Sequence, residues 1–176
     1  LNKKKLPNAL LFHGNNGLGK EGHALEFSAL INCIQPANGQ SCGRCDSCQK
    51  MKTLQHGNLK LIHPLPAAKN KSSASPLENL TKSEVESYQD MLSSKAIDPY
   101  YNIEVPKSNS ILINSIRSLK KELTLSKIEK GWNIILILEA EKLCYPNNVA
   151  ANALLKILEE PPEKTLFILI TSNYSK

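Results

Sequence analysis

The feature that most constrains the fold of this 176-residue chain is a glycine-rich loop between an apolar strand and a helix. The run Ala9–Phe12 is apolar throughout, as in a strand that is buried in a parallel sheet. Glycines follow it, and after them Glu21–Ile34 has apolar residues at helical spacing. Strand, glycine loop and helix in this order are the context that a phosphate-binding loop requires.

The loop itself fits the pattern G-x-x-x-x-G-K, with Gly14, Gly17 and Gly19 followed by Lys20. Its backbone N–H groups would surround phosphate oxygens, and the lysine would contact the outer phosphates. A working loop has Ser or Thr next, whose hydroxyl holds magnesium, whereas this chain has Glu21. The longer anionic side chain should repel phosphate and distort the metal site. We therefore expect weak or absent ATP binding, and the alternative is a plain glycine turn before a helix.

Three further apolar runs predict strands, and helical patterns lie between them. The fold class that follows is α/β, with a parallel sheet wound by helices on both faces and a ligand site at the carboxyl ends of the strands. The predicted strands are Leu59–Ile62, Trp132–Leu138 and Leu166–Ile170, with a short one at Ile103–Val105. Helices are predicted after Ser110 and after Asn147 or Asn148, and an irregular helix is predicted at Val85–Ala96.

The residues after the third strong strand bear on magnesium binding as well. In ATPases that have a phosphate-binding loop, an Asp at this point holds the magnesium ion. Judged by register, Leu138 occupies that position here, and Glu139 occupies the position of a water-activating carboxylate. Both protein groups that would position magnesium are thus replaced, which predicts lost hydrolysis. The alternative for Glu139 and Glu141 is an ordinary solvated loop.

Four cysteines form the sharpest local pattern of the sequence. Cys33, Cys42, Cys45 and Cys48 include two overlapping C-x-x-C steps within residues 33–50. Four sulfur ligands suit tetrahedral Zn²⁺, and because no ligand position is left over, the site should be structural. Two disulfides and an iron–sulfur cluster are the alternatives. The fifth cysteine, Cys144, is expected to be a free, partly buried thiol, and the odd count indicates a reducing cytoplasm.

The bulk properties exclude some classes of protein. The sequence has no apolar run of membrane-helix length and no visible secretory signal, and it begins with Leu1, so we interpret it as a cytoplasmic fragment of a longer protein. The net charge of +6 is spread over scattered lysines, which permits contact with nucleic acid but equally fits a solvated surface. Residues 67–84 are rich in Lys, Ser and Asn, and they predict a flexible insertion. No nucleophile–base pair is evident, so no catalytic residue is predicted.

Two motifs together resemble a known family. Ser41–Cys48 resembles the zinc loop, and Ala150–Pro162 resembles the signature helix, of the bacterial DNA polymerase III clamp-loader subunits, which are AAA+ proteins. The resemblance runs from about Leu6 to Ser172 and is poor only over Ala67–Ile103. It implies that residues 1–176 form an N-terminal AAA+ domain with the zinc module inserted in it, and that Thr171 is the polar sensor at the end of the fourth strand.

Within this family the chain is more similar to the delta-prime type than to the ATP-hydrolysing gamma and tau subunits, because of Glu21 and Leu138. The resemblance then implies a subunit that helps to assemble the ring and does not hydrolyse ATP. Its implied partners are gamma or tau, delta and, through the assembled complex, the sliding clamp and primed DNA. It would belong to the DNA-directed DNA polymerase (nucleotidyltransferase) holoenzyme.

Two other functions remain open from the sequence. One is an active ATPase motor in which Glu21 or Glu139 coordinates magnesium. The other is a zinc-finger DNA-binding protein, in which Arg44, Lys50 and Lys52 would contact phosphates.

Overall fold

A computed structural model describes residues 6–66, 76–125 and 130–173. The described residues contain four strands and five α-helices, with two short 3-10 helices at Pro76–Asn79 and Ala140–Cys144. In chain order the elements are β1 (Ala9–His13), α1 (Lys20–Asn32), α2 (Asp46–Lys52), β2 (Leu59–Ile62), α3 (Lys82–Ile97), α4 (Ile113–Leu125), β3 (Asn133–Ile137), α5 (Val149–Glu159) and β4 (Thr165–Thr171).

The four strands form one parallel sheet in the order β1-β4-β3-β2. Strands β3 and β4 are central and covered on two faces, which explains why each is apolar except at its ends. Because all strands are parallel, their carboxyl ends lie along one edge of the sheet. The glycine loop after β1, the residues after β3 and the end of β4 therefore meet there.

Alternate side chains of the central strands enter two separate cores, one on each face of the sheet. On one face, Leu136 and Ile168 pack with Ala24 and Ile31 of α1 and with Tyr88 of α3. On the other face, Ile135, Ile137 and Phe167 pack with buried residues of α4 and α5, among them Ile116, Leu119, Leu154 and Ile157. The predicted α/β sheet with helices on both faces is confirmed.

Several local predictions differ from the structure. Ile103–Val105 is not a strand, although Ile103 and Val105 are buried against the first core. Ser110 does not begin a helix, because its carbonyl oxygen accepts a hydrogen bond from Leu65 N at 3.2 Å and α4 starts only at Ile113. Cys144 is exposed and not partly buried.

Helix α3 begins earlier than its apolar pattern suggests. Thr81 Oγ1 accepts a hydrogen bond from Glu84 N, and the Glu84 carboxylate accepts one from Thr81 N, so the two residues form a capping box. Residues 67–75 of the predicted flexible insertion lie outside the described residues, whereas Pro76–Asn79 forms a 3-10 turn before this cap. None of the described helices has both the length and the apolar character needed to cross a membrane.

Candidate metal centre and phosphate-binding loop

The four clustered cysteines converge on one point beside the sheet. Their sulfur atoms all lie within 4.8 Å of one another, and Cys42 Sγ and Cys48 Sγ are 4.0 Å apart. Sulfurs bound to one zinc ion at 2.3 Å in a tetrahedron are about 3.8 Å apart, so this arrangement is close to that of a tetrahedral site. All five cysteines of the chain are free thiols in the structure.

The cysteines are positioned by the ends of two helices. Cys33 follows the last residue of α1 in an extended conformation, which turns the chain away from the helix. Cys45 is the N-cap of α2, and Cys48 lies in the first turn of the same helix. The sequence pattern predicted the ligands but not α2, because a seven-residue helix rich in polar residues has no clear apolar period.

Backbone amides favour thiolates at this point. Cys42 N donates to Cys33 Sγ at 3.3 Å, and Cys45 N donates to Cys42 Sγ at 3.4 Å. Hydrogen bonds from the backbone amides of Arg44 and Cys45 lower the pKa of the Cys42 thiol to about 6. Burial raises the pKa of Cys48 to about 12, so an incoming metal ion must displace the proton of that thiol. Four sulfurs with amide donors fit a structural zinc ion, which these residues would hold without an open ligand position.

A buried polar chain connects this cysteine cluster to the sheet. Ser47 Oγ donates to Asn32 O at 2.9 Å, and it lies 3.1 Å from His56 Nε2. Because His56 Nδ1 accepts a hydrogen bond from Asn58 N, its Nε2 carries the proton and donates to Ser47. Nothing in the spacing of Ser47 and His56 distinguishes them from surface polar residues, so their supporting role could not be predicted from the sequence.

The glycine loop forms a compact turn over the amino end of α1. Gly14, Gly17 and Gly19 all have positive φ angles, and Gly19 is the N-cap of the helix. Lys20 Nζ donates to the carbonyl oxygens of Gly14 and Asn15, each at 2.8 Å, and to Ser172 Oγ at 3.2 Å. The lysine thus connects the loop to the end of β4.

Glu21 does not lie free beside the loop. Its carboxylate forms an ion pair with the ammonium of Lys95, which comes from the last turn of α3. The Lys95 side chain is only 1% exposed, and its Nζ also donates to Tyr101 O at 2.7 Å. No sequence signal pointed to Lys95, because a lysine in a mostly polar helix is ordinarily a solvated residue.

The residues after β3 and β4 are also engaged with protein partners. Glu139 adopts a left-handed conformation, and its carboxylate pairs with Lys142 Nζ at 2.7 Å. Thr171 Oγ1 donates to Glu141 Oε2 at 2.5 Å. The side chain at the end of β4 that contacts Lys20 is that of the next residue, Ser172. Leu138 is 3% exposed and packs in the first core.

Neither of the two side chains at the expected magnesium-binding positions is available to the ion in this structure. Mg²⁺ binds oxygen ligands, usually one or two carboxylates or hydroxyls with phosphate and water. At the two positions that would supply such oxygens, one side chain is the apolar Leu138 and the other is Glu21, whose carboxylate already has an ammonium partner.

The family described as "DNA polymerase III, delta subunit" matches residues 1–176. The chain is 26% identical over 176 residues to the DNA polymerase III subunit tau/gamma of Haemophilus influenzae, which covers 100% of this chain and 19% of that protein. It is 29% identical over 161 residues to the subunit delta' of Yersinia pestis (92% of this chain, 35% of that protein) and 26% identical over 164 residues to that of Escherichia coli (93% and 36%). The chain thus spans roughly a fifth to a third of the length of these relatives.

Proposed function

Because this chain belongs to the family described as DNA polymerase III, delta subunit, we propose that it is the AAA+ domain of a delta-prime-type clamp-loader subunit that does not hydrolyse ATP. In this function the whole protein is a cytoplasmic member of a ring that places a sliding clamp on primed DNA. Gamma or tau and delta are its direct partners. The clamp and the DNA are its partners through the assembled complex.

The observation that carries the proposal is the state of Glu21. Phosphoryl transfer in loop NTPases depends on a magnesium ion that the residue after the loop lysine helps to hold. Here that residue is a carboxylate paired with the buried ammonium of Lys95. The side chain of Leu138, directly after β3, has no oxygen to offer. A nucleotide that reached Gly14, Gly17, Gly19 and Lys20 would therefore lack the ion that activates it, which supports weak or absent ATP binding and no turnover.

The cysteine cluster supports a structural zinc ion in the same domain. Cys33, Cys42, Cys45 and Cys48 supply four sulfurs, and a closed ligand set has no position for a substrate. The zinc ion would hold residues 33–50 in place, since this stretch has few apolar residues with which to form a core of its own.

A gamma/tau-type motor is the second candidate, because a gamma/tau relative matches this chain as well as a delta' relative does. The tau/gamma subunit of Haemophilus influenzae matches this chain over its full length at 26% identity, as closely as a delta' subunit does. Identity alone therefore does not separate the two types. In a motor, Lys20, Glu139 and Thr171 would act on the nucleotide.

The test uses the full-length protein that contains this domain, assembled with gamma or tau and delta. Lys20→Ala in this subunit should leave the ATP turnover and the clamp loading of the complex within twofold of wild type. The matched control is the same change at the loop lysine of the gamma or tau subunit, which should reduce both rates. A comparable loss from Lys20→Ala in this subunit, or magnesium-dependent ATP turnover by the isolated protein, would refute the proposal.

A further inference from the structure

Lys95 is the most unusual charged residue of the described chain. It is a lysine with a side chain that is 1% exposed, whereas lysines are almost never buried without a partner. Its ammonium contacts two oxygen atoms, one from the Glu21 carboxylate and one from the Tyr101 carbonyl group. These oxygens come from the amino end of α1 and from the segment that follows α3.

The segment after α3 is fixed in place by further hydrogen bonds. Tyr101 N donates to Asp98 O at 2.9 Å, and Tyr100 N donates to Asp98 Oδ1 at 2.9 Å. The Tyr100 ring lies directly against the backbone of Gly19 and Gly22, so closely that an added methyl group at either glycine would be within 3.0 Å of it. The Tyr101 carbonyl that contacts Lys95 is therefore held beside the glycine loop.

A carboxylate oxygen and a backbone carbonyl oxygen are ligands that a hard divalent cation accepts together with water. In this chain they surround an ammonium group instead. Glu21, the residue after Lys20, thus has a cation beside it, and this cation is the ammonium group of Lys95.

We infer that Lys95 is a built-in substitute for a divalent metal ion at the loop, and that it makes Glu21 and Tyr101 unavailable to magnesium. The inference rests on the proposed function, in which the loop is a former nucleotide site. It deepens that function by naming the residue that determines the cation preference of the site. Lys95 is a positioning residue here, since it acts through Glu21 and the Tyr101 carbonyl.

The inference predicts a specific exchange of cations. In Lys95→Met the carboxylate and the carbonyl lose their ammonium partner, while a side chain of similar length fills the space. Magnesium or manganese should then occupy the position. The matched control is the double variant Glu21→Gln/Lys95→Met, which has the same apolar side chain at position 95 but no carboxylate to attract a cation.

The experiment measures the thermal unfolding midpoint of the full-length, zinc-loaded protein in magnesium chloride and in sodium chloride of equal ionic strength. At about a hundredfold excess over Kd, magnesium should raise the midpoint of Lys95→Met by roughly 5 °C or more. The wild type and the double variant should show no magnesium-specific shift. If Lys95→Met does not fold, refolding in manganese chloride but not in sodium chloride gives the same answer.

Three results would overturn the inference. The first two are equal magnesium shifts in Lys95→Met and the double variant, and failure of both salts to restore folding of Lys95→Met. A magnesium-specific shift in the wild type as large as in Lys95→Met would do so too, because Glu21 would then be available despite the ammonium. The unfolding experiment contains no nucleotide. Its outcome is therefore separate from the measurement of ATP turnover, which tests the proposed function.

Discussion

Asn32 and Trp132, which are 100 positions apart, are joined by two reciprocal hydrogen bonds. Asn32 Nδ2 donates to Trp132 O at 3.0 Å, and Asn32 Oδ1 accepts from Trp132 N at 2.8 Å. Asn32 ends α1 and directly precedes Cys33, whereas Trp132 directly precedes β3. The first cysteine of the cluster is thereby fixed to the start of a central strand.

Replacing Asn32 with Ala removes both hydrogen bonds and leaves the N–H and C=O of Trp132 without their partner. We expect the free energy of unfolding to fall by about 1–3 kcal/mol, the usual cost of such unsatisfied groups. Urea denaturation would measure it. Asn152→Ala, on the exposed face of α5, is the control and should change stability by about 0.5 kcal/mol or less. Equal effects of the two changes would contradict this account of Asn32.

Gly131 is adjacent to the same pair and has no room for a side chain. Its φ angle is +134°, and an added Cβ would lie 2.4 Å from Asn32 Oδ1. Gly131→Ala should therefore combine backbone strain with displacement of Asn32, at a cost of about 2 kcal/mol or more.

Gly39→Ala is the matched control for that change. Gly39 also has a positive φ angle, +75°, but an added Cβ would meet nothing within 4 Å. Gly39→Ala should therefore lose only about 1 kcal/mol of stability, from backbone strain alone. Thermal or urea unfolding of both variants would separate the two costs, and a smaller loss for Gly131→Ala than for Gly39→Ala would show that the clash with Asn32 is unimportant.

The cysteine cluster should carry one zinc ion per chain. Metal analysis by mass spectrometry should give this stoichiometry, and the protein should have no visible absorption of the kind an iron–sulfur cluster produces. Cys48→Ser removes one buried sulfur and should raise the Kd for zinc by at least roughly tenfold. Cys144→Ser is the control, since that thiol is exposed and outside the cluster, and it should retain full zinc content. An unchanged Kd for zinc in Cys48→Ser would exclude the four-cysteine site.

Stability should fall in mild acid partly because of His63. Burial lowers the pKa of this imidazole to about 4, although its hydrogen bond with Pro64 O at 2.8 Å acts in the opposite direction. As the pH falls below about 6.5, the unfolded chain binds a proton that the folded protein does not, so folded stability is lost between about pH 6.5 and 4 by at most about 3 kcal/mol.

The variant His63→Gln isolates this contribution. Its unfolding free energy should fall less than that of the wild type over the same interval, so the two curves should approach each other as the pH decreases. Parallel curves for His63→Gln and the wild type would mean that His63 does not titrate differently in the folded protein.

The sequence alone determined those features that depend on neighbours along the chain. Cys42, Cys45 and Cys48 are close in sequence, so short turns bring their sulfurs together, and the apolar runs of β3 and β4 indicate strands covered on both faces. The glycine loop could be located for the same reason. The α/β class follows from the alternation of these local patterns.

Only the tertiary structure decided which distant side chains meet. The pairs Glu21–Lys95, Asn32–Trp132 and Lys20–Ser172 are separated by 74, 100 and 152 positions. Each depends on the strand order β1-β4-β3-β2 and on which helix covers which face, and no periodicity within a single element contains that information. The physical reason is that burial changes the chemistry of a residue: Lys95 has the sequence context of a solvated lysine, but its place beneath the loop makes it the fixed partner of Glu21.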